Sequence, residues 1–175
     1  MLANTLKAIS NVPQIDHMLV VSRDPGALSM ARDFGAKTVQ EDGTSDDLNA
    51  ALKRATVVAQ LLGAQSILIL PADLPMIDAE SIQALIKMAN KPPVVVIAPD
   101  RRSDGTNGML ISPAGLIEYQ YGQSSFSKHV EQAERYHVRV EICQEQSLAL
   151  DLDLPEDLAL FQKMEIVQFD LQGAD

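Results

Sequence analysis

Four polar loops hold the residue types that do chemistry. Asp73 stands in the turn Pro71–Pro75, directly after the apolar run Ser66–Leu70. A carboxylate on a proline-stiffened turn is a hard oxygen ligand, and Mg²⁺ takes one or two of these together with substrate phosphates. The competing role, a helix cap, falls to Asp78, which is better placed for it. The stretch Asp151-Leu152-Asp153-Leu154-Pro155-Glu156-Asp157 sets Asp151 and Asp153 on one side of an extended segment. Two such carboxylates repel unless a cation lies between them, so at least one is expected to bind metal. Glu156 and Asp157 follow Pro155 and read as punctuation at a helix start.

The other two loops offer donors. Arg101-Arg102-Ser103-Asp104-Gly105-Thr106-Asn107-Gly108 carries guanidinium groups, hydroxyls, an amide and backbone N–H groups near glycine. That set suits an anionic oxygen ligand, and equally a hydrophilic turn that needs glycine. Tyr121-Gly122-Gln123-Ser124-Ser125-Phe126 leads into Lys128 and His129. A helix starting here presents free N–H groups to an anion, with Ser124 or Ser125 as N-cap. Ser125 and His129 share a helix face, but the nucleophile context G-x-S-x-G is absent. His17 and His137 lie beside strands and read as structural.

These loops need elements to hold them. Apolar spacing predicts helices at the N-terminus, over Pro25–Phe34, from Asp46 or Asp47 to Leu62, after Asp78, after Pro113, over Phe126–Arg135 and over Glu156–Met164. Strands are predicted at Met18–Ser22, Ala36–Gln40, Ser66–Leu70, Val94–Ala98, Met109–Ile111 and His137–Ile142. Ser66–Leu70 is almost wholly apolar, as a central strand covered on both faces would be. Alternating strands and helices give an α/β fold, three αβα layers around a mostly parallel mixed sheet. Ligands of such sheets bind beyond the carboxyl ends of the strands, where these loops fall.

Composition narrows the partners. At 175 residues the chain is expected to form one domain over 1–175, with 165–175 as a candidate tail. Fourteen basic against 24 acidic residues, with 4% aromatic, argue against a nucleic acid. Eight acids and one base lie between Glu145 and Asp175. No apolar run is long enough to span a membrane. The single cysteine, Cys143, and an N-terminus without a signal-peptide pattern favour the cytoplasm.

Carboxylates for a divalent ion plus donors for anionic oxygens form the inventory of phosphoryl or nucleotidyl transfer. In chain order, PADLP, GTNGML, YGQSSFSKH and DLDLPEDL resemble the 2-phospho-L-lactate guanylyltransferase family of coenzyme F-420 biosynthesis. That family includes phosphoenolpyruvate and 3-phosphoglycerate guanylyltransferases. LVVSRDP and the stretch Asp47–Leu52 are similar to it as well. The resemblance runs to about Met164.

It implies a GT-A-like nucleotide-diphospho-sugar transferase fold and transfer of GMP from GTP to a three-carbon phospho-acid, with pyrophosphate released. By the same resemblance Asp73 and Asp153 are catalytic and hold Mg²⁺, with Asp151 as the third candidate ligand. Thr106, Gly122 and Ser125 would hold the phospho-acid, Asn49 would lie near the nucleotide, and His129 would position rather than react. The family pattern opens with a strand and a G-x-K-x-R-L loop, whereas the first glycine here is Gly26. The sequence is therefore expected to start inside the pattern, N-terminally short, with an unpaired edge in its sheet and homodimerisation made easy. Two alternatives remain at this stage. One is a related nucleotidyltransferase acting on a molybdopterin or sugar phosphate. The other is a shortened, non-catalytic ligand-binding domain.

Overall fold

The computed structural model describes residues 1–41, 47–152 and 155–162. In chain order the elements are α1 (Leu2–Ser10), β1 (Leu19–Ser22), α2 (Pro25–Asp33), β2 (Lys37–Gln40), α3 (Leu48–Leu61) and β3 (Ile67–Ile69). They continue with α4 (Ala79–Met88), β4 (Val94–Pro99), β5 (Thr106–Ser112), α5 (Ser125–Arg135), β6 (Arg139–Ile142) and α6 (Gln146–Ala149). A last helix, α7, covers 155–162.

Local chemistry explains the boundaries. Asp24 caps α2 by accepting from the Gly26 N–H, with Pro25 at the first helical position. Asp47 caps α3 through the Asn49 and Ala50 N–H groups. Asp78 caps α4 through Ser81 at 2.7 Å. Each carboxylate satisfies N–H groups that have no partner inside the helix.

The strands form two sheets. β1 and β2 pair in parallel, and the second sheet has the order β3-β5-β4-β6. β5 runs antiparallel to both β3 and β4, while β6 is parallel to β4. Three of the four strands therefore share one direction and β5 alone is reversed. β1 and β3 each end their sheet, so each keeps one edge without a ladder partner among the described residues.

Side chains of the inner strands alternate between two cores. Val94, Val96, Ala98 and Leu110 face a cluster with Ala8 of α1, Ile82 and Leu85 of α4, and Leu148 of α6. Val95, Ile97, Met109 and Ile111 face the opposite cluster, which includes Ala133 of α5. Helices thus cover both faces, giving the three αβα layers expected.

Some element expectations are corrected. Ile67–Ile69 is half-buried rather than enclosed, because β3 is an end strand. The fully buried strand is β5, which lies between β3 and β4 and is buried at every position. It also starts earlier than expected, so Thr106, Asn107 and Gly108 are strand residues. Gly108 pairs with Ala98, and a Cβ there would stand 3.1 Å from Leu85 and 3.2 Å from Ala98, so glycine permits this close packing. No helix forms after Pro113, where the chain makes turns. The short α6 was not expected. Among the described residues no helix is long and apolar enough to cross a membrane.

Candidate active site

Strand register gathers the polar loops. Ile69 and Ile97 both pair with Met109, and Ile97 also pairs with Ile142, making one row across the sheet. Beyond that row the chain runs out at a single edge into 70–73, 98–100 and 143–151, and β5 enters from the same edge at Thr106. This is the carboxyl end of β3, β4 and β6, where open α/β sheets bind ligands. An open cleft of about 370 Å³ lined by Asp16, His17 and Lys37 lies instead at the start of β1 and β2, the opposite end of those strands. The strand-end rule and the donor set favour the loop edge.

The centre of the edge is a buried polar cluster. Ser125 Oγ donates to Thr106 Oγ1 at 3.2 Å, and Thr106 Oγ1 meets His129 Nδ1 at 3.2 Å. The backbone N–H of Gln120 donates to His129 Nε2 at 2.9 Å. Thr106, Ser125 and His129 are 6%, 2% and 0% exposed. Burial, with the positive charge of Lys128 as a smaller cause, lowers the His129 pKa to about 4. The ring of Tyr121 meets His129 edge-on at 5.1 Å. Burial also raises the Tyr121 hydroxyl pKa far above its usual range.

Three side chains hold the loop that crosses this cluster. Gln132 Oε1 accepts from Glu118 N at 2.6 Å, and His129 takes Gln120 N. Asn49 accepts from Tyr121 N at 2.7 Å and donates to Tyr121 O at 3.2 Å. The loop then turns through Gly122, whose φ of +119° disfavours any residue with a Cβ.

The start of α5 is capped from elsewhere. Ser124 is the N-cap but makes no side-chain cap bond. Its N–H and hydroxyl instead both donate to the Asp104 carboxylate, at 3.2 and 3.0 Å. The Phe126 N–H donates to the Asp104 carbonyl. Asp104 is itself placed by Asp100, whose carboxylate accepts from Asp104 N at 2.8 Å. Several donors expected to face an anion are thus satisfied within the protein.

The arginines are likewise engaged. Arg101 Nε and Nη2 donate to Asp157 Oδ1 at 2.9 and 2.6 Å, and Arg102 Nη2 donates to the same oxygen at 2.8 Å. Glu156 accepts from both guanidinium groups, at 3.0 and 2.8 Å. Asp157 is fully buried. The side-chain bond from Arg102 is the main cause holding the Glu156 carboxyl below its usual range. Glu156 and Asp157 therefore do more than punctuate α7: they tie it to the β4–β5 loop. Asn107 adds a second tie, donating to Leu148 O of α6 at 3.0 Å.

The structure brings Thr106, Ser125 and Gly122 together, as the sequence led us to expect. It places Asn49 against the Tyr121 backbone, where its amide holds the loop that leads to Gly122. Asp73 is half-buried just past β3, and Asp151 is 8% exposed just past α6. Leu74 and Leu148, beside these two turns, lie in one core cluster. Asp153 lies outside the described residues. Asp73 and Asp151 supply hard oxygens on two turns at the carboxyl edge of the strands, a donor chemistry that would fit Mg²⁺ completed by phosphate oxygens. Among the described residues, no group of three or more His, Cys, Asp or Glu is arranged to hold a metal alone.

Sequence reasoning missed Asp104 as the cap of α5, because its partner is 20 residues away. It also missed Gln120, which acts through its backbone and leaves no side-chain signal.

Solved structures share the fold. The chain matches a nucleotidyl transferase from Methanothermobacter thermautotroptrophicus with a TM-score of 0.71, over 95% of this chain and 80% of that one, at 16% identity. It matches CMP:2-keto-3-deoxy-manno-octonic acid synthetase, in complex with CTP, with a TM-score of 0.65 over 95% and 88%, at 12% identity. At such identities the likeness shows the fold, that of a nucleotidyltransferase.

The family model for guanylyl transferase, CofC-like, matches residues 1–164, and the chain belongs to that family. It is 41% identical, over 87% of its length and 73% of the relative's, to the phosphoenolpyruvate guanylyltransferase of Rubrobacter xylanophilus. It is 35% identical, over 90% and 68%, to the 2-phospho-L-lactate guanylyltransferase of Methanocaldococcus infernus.

Proposed function

We propose that this protein moves GMP from GTP to the phosphate of a three-carbon phospho-acid and releases pyrophosphate, a step in coenzyme F-420 biosynthesis. The observation that carries this reading is the buried Thr106–Ser125–His129 cluster at the carboxyl edge of the strands, in a chain of the guanylyl transferase family. Phosphoenolpyruvate stands first among the acceptors, because four of the most similar relatives carry that name.

An acceptor phosphate oxygen attacks the α-phosphorus of GTP. A new P–O bond forms as the bond to the β-phosphate bridge breaks, and pyrophosphate leaves with the electron pair. The attacking phosphate is already anionic near neutral pH, so no general base is required. What the protein supplies is position and charge compensation. In this reading Thr106, Ser125 and the Gly122 turn hold the phospho-acid, and Asn49 shapes that turn. Asp73, with Asp151 or Asp153, would hold Mg²⁺, which supplies neutralisation of the triphosphate charge. The single, buried Cys143 supports a reducing, cytoplasmic setting.

The test is product identity. The protein is incubated with GTP, Mg²⁺ and, separately, phosphoenolpyruvate, 3-phosphoglycerate and 2-phospho-L-lactate, then examined by mass spectrometry. A guanylylated acceptor with one of the three is expected. Its absence with all three, from folded protein, overturns the reading.

A further inference from the structure

We propose that His129 is a positioning residue that leaves the Thr106 hydroxyl able only to donate, toward an anionic oxygen of the phospho-acid. This rests on the acceptor site described above, but the donor logic is fixed by the protein alone. A backbone amide cannot accept, so the Gln120 N–H must donate to His129 Nε2, 2.9 Å away. Nε2 therefore carries no proton. The neutral ring must carry it on Nδ1, which points at Thr106 Oγ1 at 3.2 Å.

Ser125 Oγ donates to the same Thr106 oxygen at 3.2 Å. A hydroxyl oxygen has two lone pairs and one hydrogen. Both lone pairs of Thr106 are now taken, by the imidazole and by Ser125. Only its hydrogen remains to be given, and no acceptor for it is found among the described residues. A buried donor without a partner is costly, and a carboxylate or phosphate oxygen would satisfy it with a charge-assisted bond. Burial keeps the ring neutral, consistent with this tautomer.

The arrangement also explains why a buried histidine stands here instead of an aliphatic residue. Its two nitrogens join the loop at Gln120 to the strand at Thr106, so loop position and hydroxyl direction are set by one side chain. His129 acts through Thr106 and is not itself a reacting group.

Two measurements test this. First, ¹⁵N–¹H spectra of the histidine-labelled wild-type protein at neutral pH report the tautomer of His129 without substrate. A proton on Nδ1 is expected, and a proton on Nε2 overturns the proposal. Second, steady-state kinetics compare His129→Asn, which keeps a donor near Nδ1, with His129→Leu. His129→Leu is expected to raise KM for phosphoenolpyruvate by about tenfold or more, the loss of a charge-assisted bond. KM for GTP should stay within about twofold, and His129→Asn should recover most of the effect. Equal effects of the two variants, or equal shifts in both KM values, overturn the proposal. If wild-type protein transfers no GMP, the functional reading fails, while the tautomer still decides this one. If His129→Leu does not fold, Thr106→Val against Thr106→Ser asks the same question, with loss expected only for Val.

Discussion

Acidification from pH 7 to pH 4 should cost this protein roughly 3 kcal/mol through His129 alone. The imidazole has no exposed surface, and burial lowers its pKa from 6.5 to about 4. Between those two values the unfolded chain binds a proton that the folded one refuses, so falling pH favours unfolding. Above 6.5 nothing is lost, and below about 4 the full penalty has been reached. The gap of about 2.5 pK units, at about 1.4 kcal/mol each, gives the magnitude. The assay is urea unfolding of wild type and His129→Asn at half-unit steps from pH 7.5 to pH 4. Carboxylates titrate in the same range, but they do so in both proteins, so the difference isolates the imidazole. That difference should shift by roughly 3 kcal/mol in the variant's favour as the pH falls. A difference flat to within about 0.5 kcal/mol would refute the claim that His129 is held neutral by burial.

Three further perturbations bear on the rest of the edge. Asp157→Ala removes a fully buried acceptor of three guanidinium bonds; a loss of roughly 2–3 kcal/mol is expected in urea titration, discounted for arginines that stay partly solvated. Asn49→Ala deletes both bonds to the Tyr121 backbone and should cost about 1–2 kcal/mol, with KM for the phospho-acid raised more than KM for GTP. Asp73→Ala should abolish the Mg²⁺ dependence of GTP binding in calorimetry, and unchanged Mg²⁺-dependent binding would remove Asp73 from the metal site.

Much of the architecture was legible because it depends on local signals. Pro25, the pair Asp46 and Asp47, and Asp78 each marked a helix start, and Asp24, Asp47 and Asp78 are the caps found there. The trio Thr106, Gly122 and Ser125 was legible through ordered motifs. What stayed hidden depends on pairing between distant residues. An apolar run such as Ile67–Ile69 looks the same in an end strand and in a central one, because strand order is not written in the run itself. Arg101 and Arg102 looked available for an anion because their partners, Glu156 and Asp157, lie more than 50 residues away. The same holds for Asp104, whose carboxylate accepts from Ser124, 20 residues later, and whose carbonyl accepts from Phe126 in the first turn of α5. Charge and donor type can be read from the chain, but whether a donor is already spent is a property of the fold.

The most direct measurement is acceptor-dependent pyrophosphate release. Folded protein, GTP and Mg²⁺ are mixed with phosphoenolpyruvate, 3-phosphoglycerate or 2-phospho-L-lactate, and CTP and ATP serve as competing nucleotides. The account predicts release that requires both GTP and one phospho-acid, and that falls when Thr106 is replaced by Val. Release that is indifferent to the phospho-acid, or none with any of the three, would contradict it.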